Sequence, residues 1–140
     1  MASKVRDIMT SNPICMPSSA TAADAATKMR DADVGAIIVE KPQGGICGIV
    51  TDRDLVVRGF ADSVDGAQKP LEKICSGSLF SVGPDDDTDK VVDIMRERGV
   101  RRVPVLDGQT CQGIVSLGDM ATERDRESVL GQISAAPANR

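Results

Sequence analysis

Histidine, tryptophan and tyrosine are absent from this chain of 140 residues, and Phe60 and Phe80 are its only aromatics. Without histidine there is no Ser-His or Cys-His nucleophile pair, no imidazole general base and no imidazole ligand for a metal. Without an aromatic surface, single-stranded nucleic acid has no platform on which to stack. Positive charge is also short. The chain carries 17 Lys and Arg against 21 Asp and Glu, a net charge of −4, which disfavours contact with a phosphate backbone. Cys15, Cys47, Cys75 and Cys111 include no Cys-x-x-Cys pair, so neither a zinc ribbon nor a thioredoxin-like motif is expected. All four read as small buried apolar residues. No apolar run approaches membrane-spanning length, and the N-terminal segment lacks a signal peptide's apolar core. The expectation is a cytoplasmic protein with reduced thiols and no membrane or nucleic-acid partner.

What is present is a repeat. Gly48-Ile49-Val50-Thr51-Asp52-Arg53-Asp54-Leu55 returns as Gly113-Ile114-Val115-Ser116-Leu117-Gly118-Asp119-Met120, shifted by 65 positions. Upstream, Val5-Arg6-Asp7-Ile8-Met9-Thr10 aligns with Leu71-Glu72-Lys73-Ile74-Cys75-Ser76, and Met29 with Met95, at a shift of 66. One residue is lost in the hairpin of the second copy. Each copy is marginal in size alone, so one shared core is expected.

Each copy opens on a short strand, Ile14-Cys15-Met16 or Phe80-Ser81-Val82, broken by Pro17 or Pro84. A helix follows, started by Thr21 or Asp87, with apolar stripes of Ala25, Ala26, Met29 and Ala32, or Val91, Val92 and Met95. Two strands joined by a glycine turn come next, and then a second helix. The unit is βαββα, twice, giving an α/β (α+β) fold. The expected division is residues 5–62, a linker at 63–70, residues 71–126, and a C-terminal helix and fraying tail at 127–140.

The repeated Thr/Ser-x-x-Asp tetrad is a capping-box pattern, and Thr21-Ala22-Ala23-Asp24 is assigned that role alone. Thr51 and Ser116 differ by following directly on buried strands. There, helix amides can meet an anion, and a carboxylate one turn on can accept from two ribose hydroxyls. The residue types suit a nucleoside phosphate. Asp85-Asp86-Asp87-x-Asp89 suits a helix start better than a divalent metal.

The duplication, the Gly48–Leu55 run and Val100-Arg101-Arg102-Val103-Pro104-Val105 together resemble a tandem pair of cystathionine-β-synthase (CBS) domains, a Bateman module. The likeness is greatest to stand-alone bacterial pairs, including the hypoxic-response type of actinobacteria. It implies two motifs packed about a pseudo-twofold axis, with clefts for AMP, ADP, ATP or another adenosyl compound. Thr51 and Asp54 would serve one cleft, Ser116 and Asp119 the other. Gly35, Ala36 and Ile37, or Arg102, Val103 and Pro104, would receive the adenine, and Arg53, Arg101 and Arg102 would offset phosphate charge. The first cleft, with Arg53 inside its tetrad, is expected to hold phosphate more tightly.

The function expected is a non-catalytic sensor that signals by a conformational or assembly change, acting as a homodimer and through a separate effector protein. Leu55, Val56 and Met120 are the expected dimer surface. An interaction protein with vestigial clefts is the alternative. A carboxylate hydrolase ranks lowest, because no nucleophile–base pair can be named.

Overall fold

The computed structural model describes residues 3–61, 64–75, 80–124 and 129–136. In chain order its elements are α1 (Val5–Ile8), β1 (Thr10–Ser11), β2 (Cys15–Pro17), α2 (Ala22–Ala32), β3 (Ala36–Glu40) and β4 (Ile46–Thr51). Then come α3 (Asp52–Asp54), continued by a π-helical turn at Leu55–Phe60, and 3₁₀ turns at Gly66–Gln68 and Leu71–Lys73. The second half holds α4 (Thr88–Arg98), β5 (Arg102–Asp107), β6 (Thr110–Ser116), α5 (Leu117–Arg124) and α6 (Val129–Ala135). The expected opening strand at Phe80–Val82 is reduced to a single parallel bridge from Val82 to Val105.

The elements form two compact units, Pro13–Leu79, and Met1–Asn12 with Phe80–Arg140. In the first, a sheet ordered β2-β3-β4 pairs β2 parallel and β4 antiparallel to β3. Ile37, Val39 and Val50 share one face, which packs with Ala22, Ala25 and Met29 of α2. Ala26 and Ala32 of the expected stripe are exposed instead. In the second unit the order is β1-β6-β5, and Val103, Val105 and Val115 pack with Val91 of α4.

Both hairpins carry the same irregularity. Val39 faces Gly48 while Glu40 faces Ile46, so Cys47 bulges from the ladder. Val105 faces Gly113 while Leu106 faces Cys111, which leaves Gln112 as the bulged residue of the second copy. The hairpin turns use left-handed glycines, Gly44 at φ 99° and Gly45 at φ 79° in one and Gly108 at φ 65° in the other.

The single shared core expected from sequence is replaced by two clusters, one in each unit, and their membership is crossed. Leu71, Ile74 and Cys75, which open the second repeat, are buried in the core of the first unit. The Leu71 N–H donates to Ala20 O at 2.8 Å and the Glu72 N–H to Ser18 O at 3.0 Å. Reciprocally Val5, fully buried, enters the core of the second unit with Ile8 and Met9 packed against it. There the N–H groups of Val5 and Arg6 donate to Asp86 O and Pro84 O, each at 2.9 Å. Apolar pattern tells which residues need burial, not which core receives them. The compact units are therefore cut differently from the sequence repeats.

The acidic run at the start of α4 is engaged locally. Asp86 Oδ2 accepts from the Gly83 N–H at 2.7 Å and from Lys90 Nζ at 3.0 Å, and Asp85 pairs with Arg6. The Gly83 amide, and after it Lys90, hold the Asp86 carboxyl below its ordinary value. Of the tail expected to fray, Ala135-Ala136-Pro137-Ala138-Asn139-Arg140, Ala135 is instead the last residue of α6, and residues 137–140 lie outside the described residues, as does Ser76.

Candidate functional site

The antiparallel registers place Thr51 opposite Ala36 and Ser116 opposite Arg102. Each hydroxyl residue ends its strand in extended conformation and begins a helix, as Thr51 shows at φ −112°, ψ 166°. In the first copy the Thr51 N–H donates to Asp54 Oδ2 at 2.9 Å, and the Asp54 N–H returns to Thr51 Oγ1 at 3.1 Å. In the second copy Ser116 and Asp119 repeat both bonds at 2.9 and 3.1 Å. Thr21 and Asp24, read from sequence as a cap alone, close the same box at 3.1 and 3.2 Å.

Capping and ligand binding are therefore compatible in this geometry. The box occupies Asp54 Oδ2 and one lone pair of Thr51 Oγ1. Asp54 Oδ1 and the hydroxyl proton lie outside it. Asp24 is exposed, whereas Asp54 and Asp119 are half-buried, and the Asp54 side chain is only 14% exposed. Desolvation strengthens hydrogen bonds to such a carboxylate.

The anion site expected from free helix amides does not form at Thr51. Its first-turn amides are already used: Asp52 N–H donates to Gly35 O at 3.2 Å, and Arg53 N–H to Asp52 Oδ1 at 2.9 Å. In the second copy Leu117 N–H donates to Arg101 O at 2.8 Å. Gly35 and Arg101 thus act through their carbonyls at matched positions. A phosphate at Thr51 would rely on the hydroxyl and on side-chain cations.

The structure sets a further cation beside the expected set. Arg53 is exposed, and Arg58, which sequence reading passed over, has Nε 3.9 Å from Asp54 Oδ1 and Nη1 3.5 Å from Ile74 O. The signal was available, because Asp54 and Arg58 stand at i and i+4 of one helix. Arg101 is exposed and Arg102 half-buried. Ala36 and Arg102 lie on the same sheet face as the tetrad hydroxyls. Ile37 and Val103, by contrast, are fully buried in the cores. Pro104 is buried too. Ile37 and Val103 would thus meet a ligand through their backbone alone.

Leu55 and Met120, expected on a dimer surface, are also core residues, each 5% exposed. They stand four positions after the cap and share their clusters with Val50 and Val115, the residues just before it. This is the hydrophobic staple that sets the angle of a helix start. The exposed apolar side chains on the same helices are Val56, Val57, Phe60 and Leu117.

The two copies diverge around the tetrad. The helix at Thr51 passes into the π turn, closed by Ala61 N–H to Val56 O at 3.0 Å. The helix at Ser116 stays α-helical, and α6 packs against it. Ser134 Oγ stands 3.0 Å from where a Cβ on Gly118 would lie. A cavity of about 280 Å³ beside it is lined by Asp7, Ile8, Asp119, Thr122, Glu123, Ser134 and Ala135. Three carboxylates line that cavity, an environment that favours hydroxyl donors over phosphate.

The four thiols do not share the burial expected of them. Cys75 is buried, Cys47 and Cys111 are half-buried, and Cys15 is exposed. Among the described residues, no helix is long and apolar enough to cross a membrane.

The family model described as CBS domain matches residues 5–59 and again 71–125. An uncharacterized protein of Bacillus subtilis, YlbB, is 38% identical over 136 residues, covering 94% of this chain and 91% of the relative. Hypoxic response protein 1 of Mycobacterium tuberculosis is 29% identical, covering 93% and 91%. A crystal structure of Hypoxic Response Protein I with two coordinated zinc ions superposes with a TM-score of 0.76 at 30% identity, over 85% of this chain and 97% of that one. The CBS domain pair of protein MJ0100, in complex with 5-methylthioadenosine and S-adenosyl-L-methionine, superposes with a TM-score of 0.74 at 23% identity, over 85% and 97%. With a match to each repeat and most of the chain covered, this protein belongs to the CBS domain family and carries two CBS domains.

Proposed function

We propose that the protein is a non-catalytic regulatory module that binds an adenine nucleotide or adenosine derivative and responds by changing conformation or assembly. Pairs of CBS domains are generally regulatory, nucleotide-binding modules, and the MJ0100 pair holds two adenosyl compounds. The observation that carries the reading is the matched pair of half-buried tetrads, each spending only one carboxylate oxygen on its cap. Asp54 Oδ1 would accept a ribose hydroxyl, Thr51 would donate to a phosphate, and the Gly35–Ala36 backbone would meet the base. Asp119 and Ser116 would do the same for an adenosyl group, with the surrounding carboxylates selecting against phosphate. A bound ligand would act by shifting populations, by no more than its difference in affinity for the two states.

Calorimetric titration with adenosine, AMP, ADP, ATP, NAD and S-adenosylmethionine tests the reading. At least one should bind, and Arg53→Ala should weaken AMP more than adenosine, with the gap closing as salt rises. No binding by any of them would overturn it. The module is further proposed to be a cytoplasmic homodimer that signals to a separate effector, with the exposed Val56, Val57 and Phe60 in its interface. A stable interface should bury more than about 1,000 Å². A monomer at all micromolar concentrations in sedimentation would count against it.

A second reading is favoured by the completeness of the boxes at Thr21, Thr51 and Ser116. All three tetrads would then be caps, and the protein would work through its surface. Failure of the titration would leave this one standing.

A further inference from the structure

Cys47 Sγ and Cys75 Sγ lie 3.4 Å apart, in van der Waals contact and 28 positions apart in sequence. Cys47 is the residue expelled from the ladder by the bulge in β4, and the bulge aims its side chain out of register with its neighbours. Cys75 follows the 3₁₀ turn at Leu71–Lys73 and is held by its N–H bond to Leu71 O at 2.8 Å. The repeat requires neither thiol. Their counterparts in the second unit are the exposed Gln112 at the matched bulge and Met9 after α1, so that unit has a thiol at neither place.

We propose that Cys47 and Cys75 form a reversible dithiol–disulfide site, oxidised by a hydroperoxide. Closing the bond asks the sulfurs to approach from 3.4 Å to the ~2.05 Å of a disulfide. Half-buried Cys47 is the sulfur that a small oxidant reaches. Its thiol reduces the O–O bond, becoming a sulfenic acid and releasing one alcohol, or water from hydrogen peroxide. The Cys75 sulfur then attacks the sulfenic sulfur and loses its proton, and the hydroxyl leaves as water. Two thiols and one peroxide give one disulfide, one alcohol and one water. Burial, and then the neighbouring Cys47, push the Cys75 thiol up to about 12. The thiolate is the attacking form, so the second step accelerates as pH rises. The site stands apart from the nucleotide reading and survives if no nucleotide binds.

The test uses the reduced full-length chain treated with hydrogen peroxide, then unfolded and alkylated with N-ethylmaleimide. The expected product carries adducts on Cys15 and Cys111 only, with the tryptic peptides of Cys47 and Cys75 joined. Dithiothreitol should restore all four adducts. Cys47→Ser and Cys75→Ser should each abolish the cross-link, and the wild-type peptide map decides the matter even if a variant folds poorly. The proposal is overturned if the cross-link runs through Cys15 or Cys111. It is overturned equally if Cys47 proceeds to sulfinic acid while Cys75 stays open to alkylation.

Discussion

At the scale of single residues, the tetrads separate two roles that one spacing can serve. Asp24, Asp54 and Asp119 make the same cap, so replacing any of them by alanine should cost about 1 kcal/mol of stability. Only Asp54→Ala or Asp119→Ala should also weaken an adenosyl ligand, by ~10- to 100-fold, because a charge-assisted bond to ribose is worth about 1.5–3 kcal/mol. Titrating the three variants side by side checks this, and equal effects on binding would reduce all three to caps. Cys75 gives a second measurable consequence. Its unfolded thiol ionises near 9.0, while the folded one holds its proton to about 12. The folded state thus binds the extra proton between those values. The stabilisation this represents is complete below pH 9 and is lost as pH rises towards 12. Urea midpoints measured under reducing conditions should therefore fall more steeply above pH 9 in the wild type than in Cys75→Ala.

At the scale of elements, spacing made much of the site legible. A shift of 65 positions located both tetrads at strand ends, and the structure puts Thr51 and Ser116 there in matched registers. The direction of side chains was less legible. Leu55 and Met120 looked like free apolar groups on a helix, yet the staple turns them inward. The π turn after Asp54 left no mark in a sequence that satisfies ordinary helix periodicity, and Arg58 was passed over beside the more conspicuous Arg53. Glycine contacts were equally hidden. A Cβ on Gly113 would stand 2.6 Å from Thr10 O, where β1 crosses β6. Alanine in a strand is otherwise favoured over glycine, but here backbone must move, and Gly113→Ala should cost about 1–3 kcal/mol. A Cβ on Gly118 would meet side chains alone, Ser134 at 3.0 Å from its Oγ and 3.3 Å from its Cβ, so Gly118→Ala should cost less. Urea denaturation of the two variants compares them, and a harmless Gly113→Ala would mean that β1 is not held as described.

At the scale of the whole molecule, the compact units and the repeats are different partitions of one chain. Residues 13–79 contain every member of the first core, whereas residues 5–62 lack Leu71, Ile74 and Cys75. The fragment 13–79 should unfold cooperatively when followed by circular dichroism, and the fragment 5–62 should not. The reverse outcome would show that the exchanged segments are dispensable. Removing a single buried leucine gives a milder version, since Leu71→Ala should cost about 2–5 kcal/mol. The same crossing sets an order of events during translation. Chains emerge from the ribosome N-terminus first, and units tend to fold as they are completed. Residues 13–79 have all their core partners once Cys75 has emerged. Val5, Ile8 and Met9, made earlier still, must wait for Val82, Val91, Val103, Val105, Val115 and Met120. Holding so long a loop open adds little to the eventual cost of closing it, because that cost grows only with the logarithm of length. The last core to close on the nascent chain is thus completed by residues synthesised before any member of the first core.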